Sequence, residues 1–127
     1  MNVIWVLIGG GLGAVTRYAT TVLAARWWGT AFPWGTLLVN LAGCLAIGLL
    51  LGAGERAGVL SGAARLFWMV GFLGGLTTFS TYGLETMQAA RSGDTAVLIL
   101  NMVAHNAGGL LMVALGLLVA RILFIRA

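Results

Sequence analysis

With 127 residues, 61% of them hydrophobic and 8% charged, and a mean hydropathy of +1.04, the chain is far from the composition of a soluble domain, where about a quarter of residues carry charge. Its net charge of +4 and pI near 10.7 come from seven arginines and no lysine; they sit mainly at the ends of apolar segments, where anchoring at anionic headgroups is a simpler reading than nucleic-acid binding. The lone Cys44 excludes an internal disulfide and reads as a small packing residue, and no Cys/His cluster at zinc spacing occurs.

Four apolar segments follow in order, Val3–Ala25, Trp34–Ala53, Ala63–Ala90 and Ala96–Phe124. A spanning helix needs about 20 apolar residues, so the expected fold is all-α, one four-helix transmembrane domain over residues 1–127. The first segment lacks a basic stretch before it and a cleavage site after it, and reads as a retained helix. Pro33 suits the first turn of the second helix. Trp5, Trp27, Trp28, Trp34 and Trp68 read as interfacial aromatics. With both termini on one side, Arg56, Arg65, Arg121 and Arg126 face Arg17, Arg26 and Arg91 on the other. Orientation follows the Lys/Arg bias of short loops, and that bias is almost absent. Either helix order alone orients the chain, or it inserts both ways up. The second alternative permits an antiparallel homodimer that supplies from two chains an inverted repeat. Glycine runs at Gly9–Gly13, Gly43/Gly48/Gly52 and Gly108–Gly109 predict close helix packing.

Ionisable groups within a span point to function by default. Arg17 lies deep in the first segment and Glu85 in the second half of the third. Pairing of the two, pairing of Arg17 with carbonyls, and a pore role for Glu85 all remain open. His105 reads as a satisfied hydrogen-bonder with Asn101 one turn earlier. Asn40 shares a small, polar face with Thr36 and Gly43, and is either helix–helix glue or a donor lining an anion path.

The stretch Gly71 to Glu85 carries the most information. Gly74-Gly75 within a span invites a break, because glycine is a poor helix residue and permits unusual dihedrals. A break bares carbonyls, which suit an alkali cation, and starts a new half-helix near Thr78–Phe79, whose N-terminus favours negative charge. Phe79 and Tyr82 then share a face, flanked by Ser80 and Thr81. Ring edges and hydroxyl donors suit an anion, whereas a cation path calls for rings of acid.

On Pro33-Trp34-Gly35-Thr36-Leu37-Leu38-Val39-Asn40-Leu41-Ala42-Gly43 and on Gly71 to Tyr82, ending at Glu85, the chain resembles over its full length the Fluc (CrcB) family of bacterial fluoride channels. The resemblance implies a multi-pass protein of the bacterial plasma membrane: a dual-topology antiparallel homodimer with two fluoride pores and a third helix broken mid-membrane. It implies that Asn40, Phe79, Ser80, Thr81 and Tyr82 line the fluoride path. It further implies that carbonyls of Gly74 and Thr77 hold a structural sodium ion at the dimer centre, and that Arg17 and Glu85 occupy family positions. Tyr82 departs from the phenylalanine usual there, and Gly109 and Val113 stand where relatives carry Ser and Thr, so no pore role is carried to the fourth helix. The alternative is a small dual-topology proton-coupled cation or drug exporter, which calls for a carboxylate in the first helix; that helix has only Arg17. No nucleophile–base pair points to an enzyme, and Gly9–Gly13 lacks the lysine of a P-loop.

Overall fold

The computed structural model describes residues 2–57 and 60–124, with the backbone alone for 55–57. The side chains of Arg56 and Arg126, counted above in the charge balance, lie outside the described residues. The architecture is all-helical: α1 (Val3–Trp28), α2 (Trp34–Ala57), α3 (Gly62–Arg65), a π-helical segment (Leu66–Phe72), α4 (Leu73–Leu76), α5 (Phe79–Ser92) and α6 (Thr95–Leu123). Among the described residues α1, α2 and α6 are each long and apolar enough to cross a membrane. The segment expected as a third span, 63–90, is helical in pieces, none of which reaches that length alone. Large apolar side chains stand exposed along α1 and α6, including Val3, Leu7, Leu110 and Leu111. This outward-facing apolar surface marks a multi-pass membrane protein.

The boundaries have local causes. Gly29 ends α1 at φ 76°, donating to the Ala25 carbonyl at 3.0 Å. The Pro33 carbonyl accepts the first bond of α2, from Leu37 N–H at 3.1 Å. Gly93 ends α5 in the left-handed region at φ 76°, ψ 10°, and the next amide, of Asp94, reaches back to the Ala89 carbonyl at 3.0 Å. Asp94 then caps α6, its Oδ1 accepting from Val97 N–H at 3.0 Å. Trp27 and Trp28, beyond the first apolar segment as the sequence bounds it at Ala25, belong to α1.

α2 packs most extensively on α6, and α1 on the π-helical segment and α4. Both contacts are backbone-close. A Cβ on Gly13 would collide with the Phe72 carbonyl, and one on Gly48 with the Val113 carbonyl. Small residues admit this approach where no hydrophobic force separates helix from lipid. Val39, Leu73 and Leu76 form the buried core, with Ala46, Ile47, Leu50 and Phe72 packed on it.

Between α4 and α5 the backbone leaves the helix. Thr77 (φ −84°, ψ 154°) and Thr78 (φ −151°, ψ 118°) are extended. Gly74 and Gly75, where the sequence points to a break, are helical. Gly75 is held against α1, where a Cβ would meet Gly10 backbone. The interruption falls instead where a side chain from α2 can replace the lost backbone bonds.

Candidate functional site

That side chain is Asn40. Its Oδ1 accepts from Thr78 N–H at 2.8 Å, and its Nδ2 donates to the Thr78 carbonyl at 3.0 Å. One amide thus satisfies both backbone groups of an extended residue, as a neighbouring strand would. It leaves one of the two Asn40 amide protons unused. Of the two sequence-based readings of Asn40, glue is what the geometry displays, and the remaining proton keeps a lining role available.

Thr78, buried, is the N-cap of α5. Its Oγ1 accepts from Thr81 N–H at 3.2 Å, donates to Thr81 Oγ1 at 3.1 Å, and lies 3.2 Å from Ser80 Oγ. Thr78 gives its one proton to Thr81, so Ser80 Oγ donates to Thr78, and the Thr81 proton has no acceptor among the described residues. That proton and the second amide proton of Asn40 are the spare donors of the site. Sequence reasoning placed Thr78 only at the start of a half-helix; a threonine directly before Phe79, where the half-helix begins, was the available N-cap signal.

Diversion of amides has a second consequence. In a continuous helix, Thr78 N–H would bond the Gly74 carbonyl and Thr81 N–H the Thr77 carbonyl. Both amides go to side chains instead, to Asn40 and to Thr78. The carbonyls of Gly74 and Thr77 thereby lose their usual partners. Gly74 is exposed, and open space surrounds its α-carbon. A carbonyl oxygen without its helical partner is the hard type of ligand that an alkali cation takes.

Phe79 and Tyr82 are brought together edge to face, with ring centroids 5.4 Å apart and planes at 61°. They differ in burial: Phe79 is 80% exposed and Tyr82 8%. Behind Tyr82 the His105 ring stacks at 4.4 Å and 29°. Asn106 Nδ2 donates to the Tyr82 hydroxyl at 2.9 Å. Asn106 was not singled out from sequence, although it is polar, lies within a span and adjoins His105. The Asn101 carbonyl bonds His105 Nδ1 at 3.0 Å, and the fully buried Asn101 side chain donates to Thr86 Oγ1 at 3.0 Å.

Glu85 and Arg17 are not brought together. Glu85 Oε1 accepts from the buried Thr36 hydroxyl at 2.6 Å, and Oε2 is buried with no partner among the described residues. Glu85 and Thr36 line a cavity of about 420 Å³ that extends to Ser92 and Asp94. Arg17, half-buried, lines a separate cleft of about 250 Å³ with Thr36, Thr78 and Thr81. The two spaces meet at Thr21 and Thr36. Arg17 thus stands beside the hydroxyl cluster while Glu85 stands on the far side of Thr36.

Residues 4–117 match the family model described as CrcB-like protein, Camphor Resistance (CrcB). A protein of Magnetococcus marinus named fluoride-specific ion channel FluC is 41% identical over 123 residues, covering 97% of this chain and 100% of that one. Proteins of the same name from Chloroflexus aurantiacus and Legionella pneumophila are 43% and 42% identical, over 91% of this chain and 91% and 87% of theirs. Along nearly its whole length, through the interrupted segment and its hydroxyl cluster, this chain belongs to the CrcB-like family.

Proposed function

We propose that the protein is a passive, fluoride-selective channel of the bacterial inner membrane that lets cytoplasmic fluoride escape, and is not an enzyme. The observation that carries the reading is end-to-end similarity, at 41–43% identity, to proteins named for that activity. The chemistry of the site supports it. Fluoride is small and strongly hydrated, so its passage requires close donors in place of water. Asn40 and Thr81 offer such donors at one end of α5, beside the Arg17 cation. Phe79 and Tyr82 offer ring edges along the same helix. Because hydrogen fluoride crosses membranes neutral and dissociates inside, a passive anion path exports the ion, driven by an inside-negative potential.

The working unit in this reading is an antiparallel homodimer of chains that each cross the membrane four times, the third crossing broken near mid-depth, with two pores. Support comes from polar surface that a single chain leaves bare: Ser80, Gly74 and Asn106 are exposed, and so is Phe79. Such groups are tolerated at membrane depth only where protein or water covers them. The Gly74 and Thr77 carbonyls, with the same pair from a second copy, would hold a sodium ion. Its contribution is a fixed positive charge that pins the two interruptions together; no step of permeation passes through it.

Liposomes carrying the purified protein test the function directly. Trapped fluoride is released and trapped chloride retained, as read by ion-selective electrodes. Equal release of both, or of neither, rejects the channel reading.

A further inference from the structure

Tyr82 carries a hydroxyl whose hydrogen-bonding polarity can be worked out from its neighbours. Asn106 Nδ2 lies 2.9 Å from the Tyr82 hydroxyl and 2.8 Å from the Met102 carbonyl. A carbonyl only accepts, so the amide atom facing it must be the nitrogen. The same nitrogen therefore faces Tyr82, and its two protons serve the two oxygens. Tyr82 is compelled to accept from Asn106. Its own phenolic proton has no acceptor among the described residues, although the side chain is 8% exposed. The ring cannot easily turn away from this arrangement. His105 stacks on it at 4.4 Å and Phe79 meets it edge-on at 5.4 Å.

We infer that Tyr82 is a hydrogen-bond donor to the permeating anion, and that Asn106 is the positioning residue that, by donating to the phenol oxygen, leaves its proton for the anion. Accepting from one amide polarises the phenol and strengthens it as a donor. The inference rests on the proposed fluoride conduction and adds to it a specificity element peculiar to a chain with tyrosine at this position. A hydroxyl held as a donor favours a small hard anion over a large weakly hydrated one.

The test uses a Tyr18→Phe background, so that Tyr82 is the one tyrosine of the two in the chain. Ultraviolet difference spectra of the protein in detergent are recorded on titration with sodium fluoride and, separately, sodium chloride. Fluoride is expected to shift the phenol band and chloride to leave it unmoved; Asn106→Leu is expected to weaken the fluoride shift. In liposomes, Tyr82→Phe and Asn106→Leu are each expected to slow fluoride release roughly three- to tenfold, the worth of one hydrogen bond. The double variant is expected to be no slower than either single one, because Asn106 has no hydroxyl left to orient. If the two effects multiply, Asn106 acts apart from Tyr82 and the inference falls. It also falls if fluoride leaves the phenol band unmoved in protein that does conduct fluoride, a result that leaves the channel reading intact. Loss of conduction in the parent protein removes both.

Discussion

Replacing Asn40 by leucine examines the link between α2 and the interrupted segment. The substitution keeps bulk and removes two bonds, at 2.8 and 3.0 Å, to the amide and the carbonyl of Thr78. Thr78 is buried, with 9% exposure, so water does not readily replace them. Each buried backbone group left unpaired costs about 1–3 kcal/mol, giving a loss of about 2–6 kcal/mol. That loss concentrates at one place, because Thr78 also caps α5 through Thr81 N–H. Two measurements separate the local from the global effect. Thermal unfolding in detergent, followed by tryptophan fluorescence, is expected to fall for Asn40→Leu. Amide exchange at Thr78 and Thr81 is expected to accelerate by at least about tenfold, the equivalent of about 1.4 kcal/mol. Unchanged melting together with unchanged protection at Thr78 would refute the claim that Asn40 seals the break. The damage would then have to be sought in helix packing.

Two further outcomes follow from the packing and the buried polar groups. Gly13→Ala drives a Cβ into the Phe72 carbonyl and to 2.8 Å from Leu76 N, both backbone, and is expected to cost about 1–3 kcal/mol; Gly11→Ala, with nothing within 4 Å, is expected to be neutral or to gain up to about 1 kcal/mol of helix propensity. Equal melting points for the two would overturn the α1–α4 crossing. Asn101→Leu is expected to cost less than Asn40→Leu even though Asn101 is 0% exposed, because it surrenders one bond, to Thr86, and also removes an Oδ1 that has no partner among the described residues. A loss as large as that of Asn40→Leu would refute this accounting of the buried amide.

The long helices were legible because their causes are local. Apolar runs in α1, α2 and α6, the glycine at Gly93 and the Asp94 cap are each visible within a few residues of sequence. The sequence points to a break at Gly74-Gly75, whereas the extended residues are Thr77 and Thr78. Gly74-Gly75 has the weaker helix propensity, yet it stays helical, because propensity is worth about 1 kcal/mol per glycine and tertiary contacts outweigh it. What decides the site of the break is a pair of bonds from Asn40, 38 residues away in sequence. A π-helical turn at Leu66–Phe72 was not foreseen; it follows no single residue and lies against the α1 glycines.

The same distinction governs the candidate site. The residue types around Thr78 were readable as donors, but their polarity was not, since it is set by which neighbour accepts first. Thr81 is left with a free proton only because Thr78 donates to it, and Tyr82 only because Asn106 has spent its other proton on Met102. Arg17 and Glu85 show the limit of pairing charges by depth alone: Thr36 takes the nearer Glu85 oxygen, and the arginine faces the hydroxyl cluster instead. In the proposed channel, Thr36, which lines both spaces, donates its proton to Glu85 and has none to offer an anion. The spare donors in that reading lie instead on Asn40 and Thr81, around Thr78.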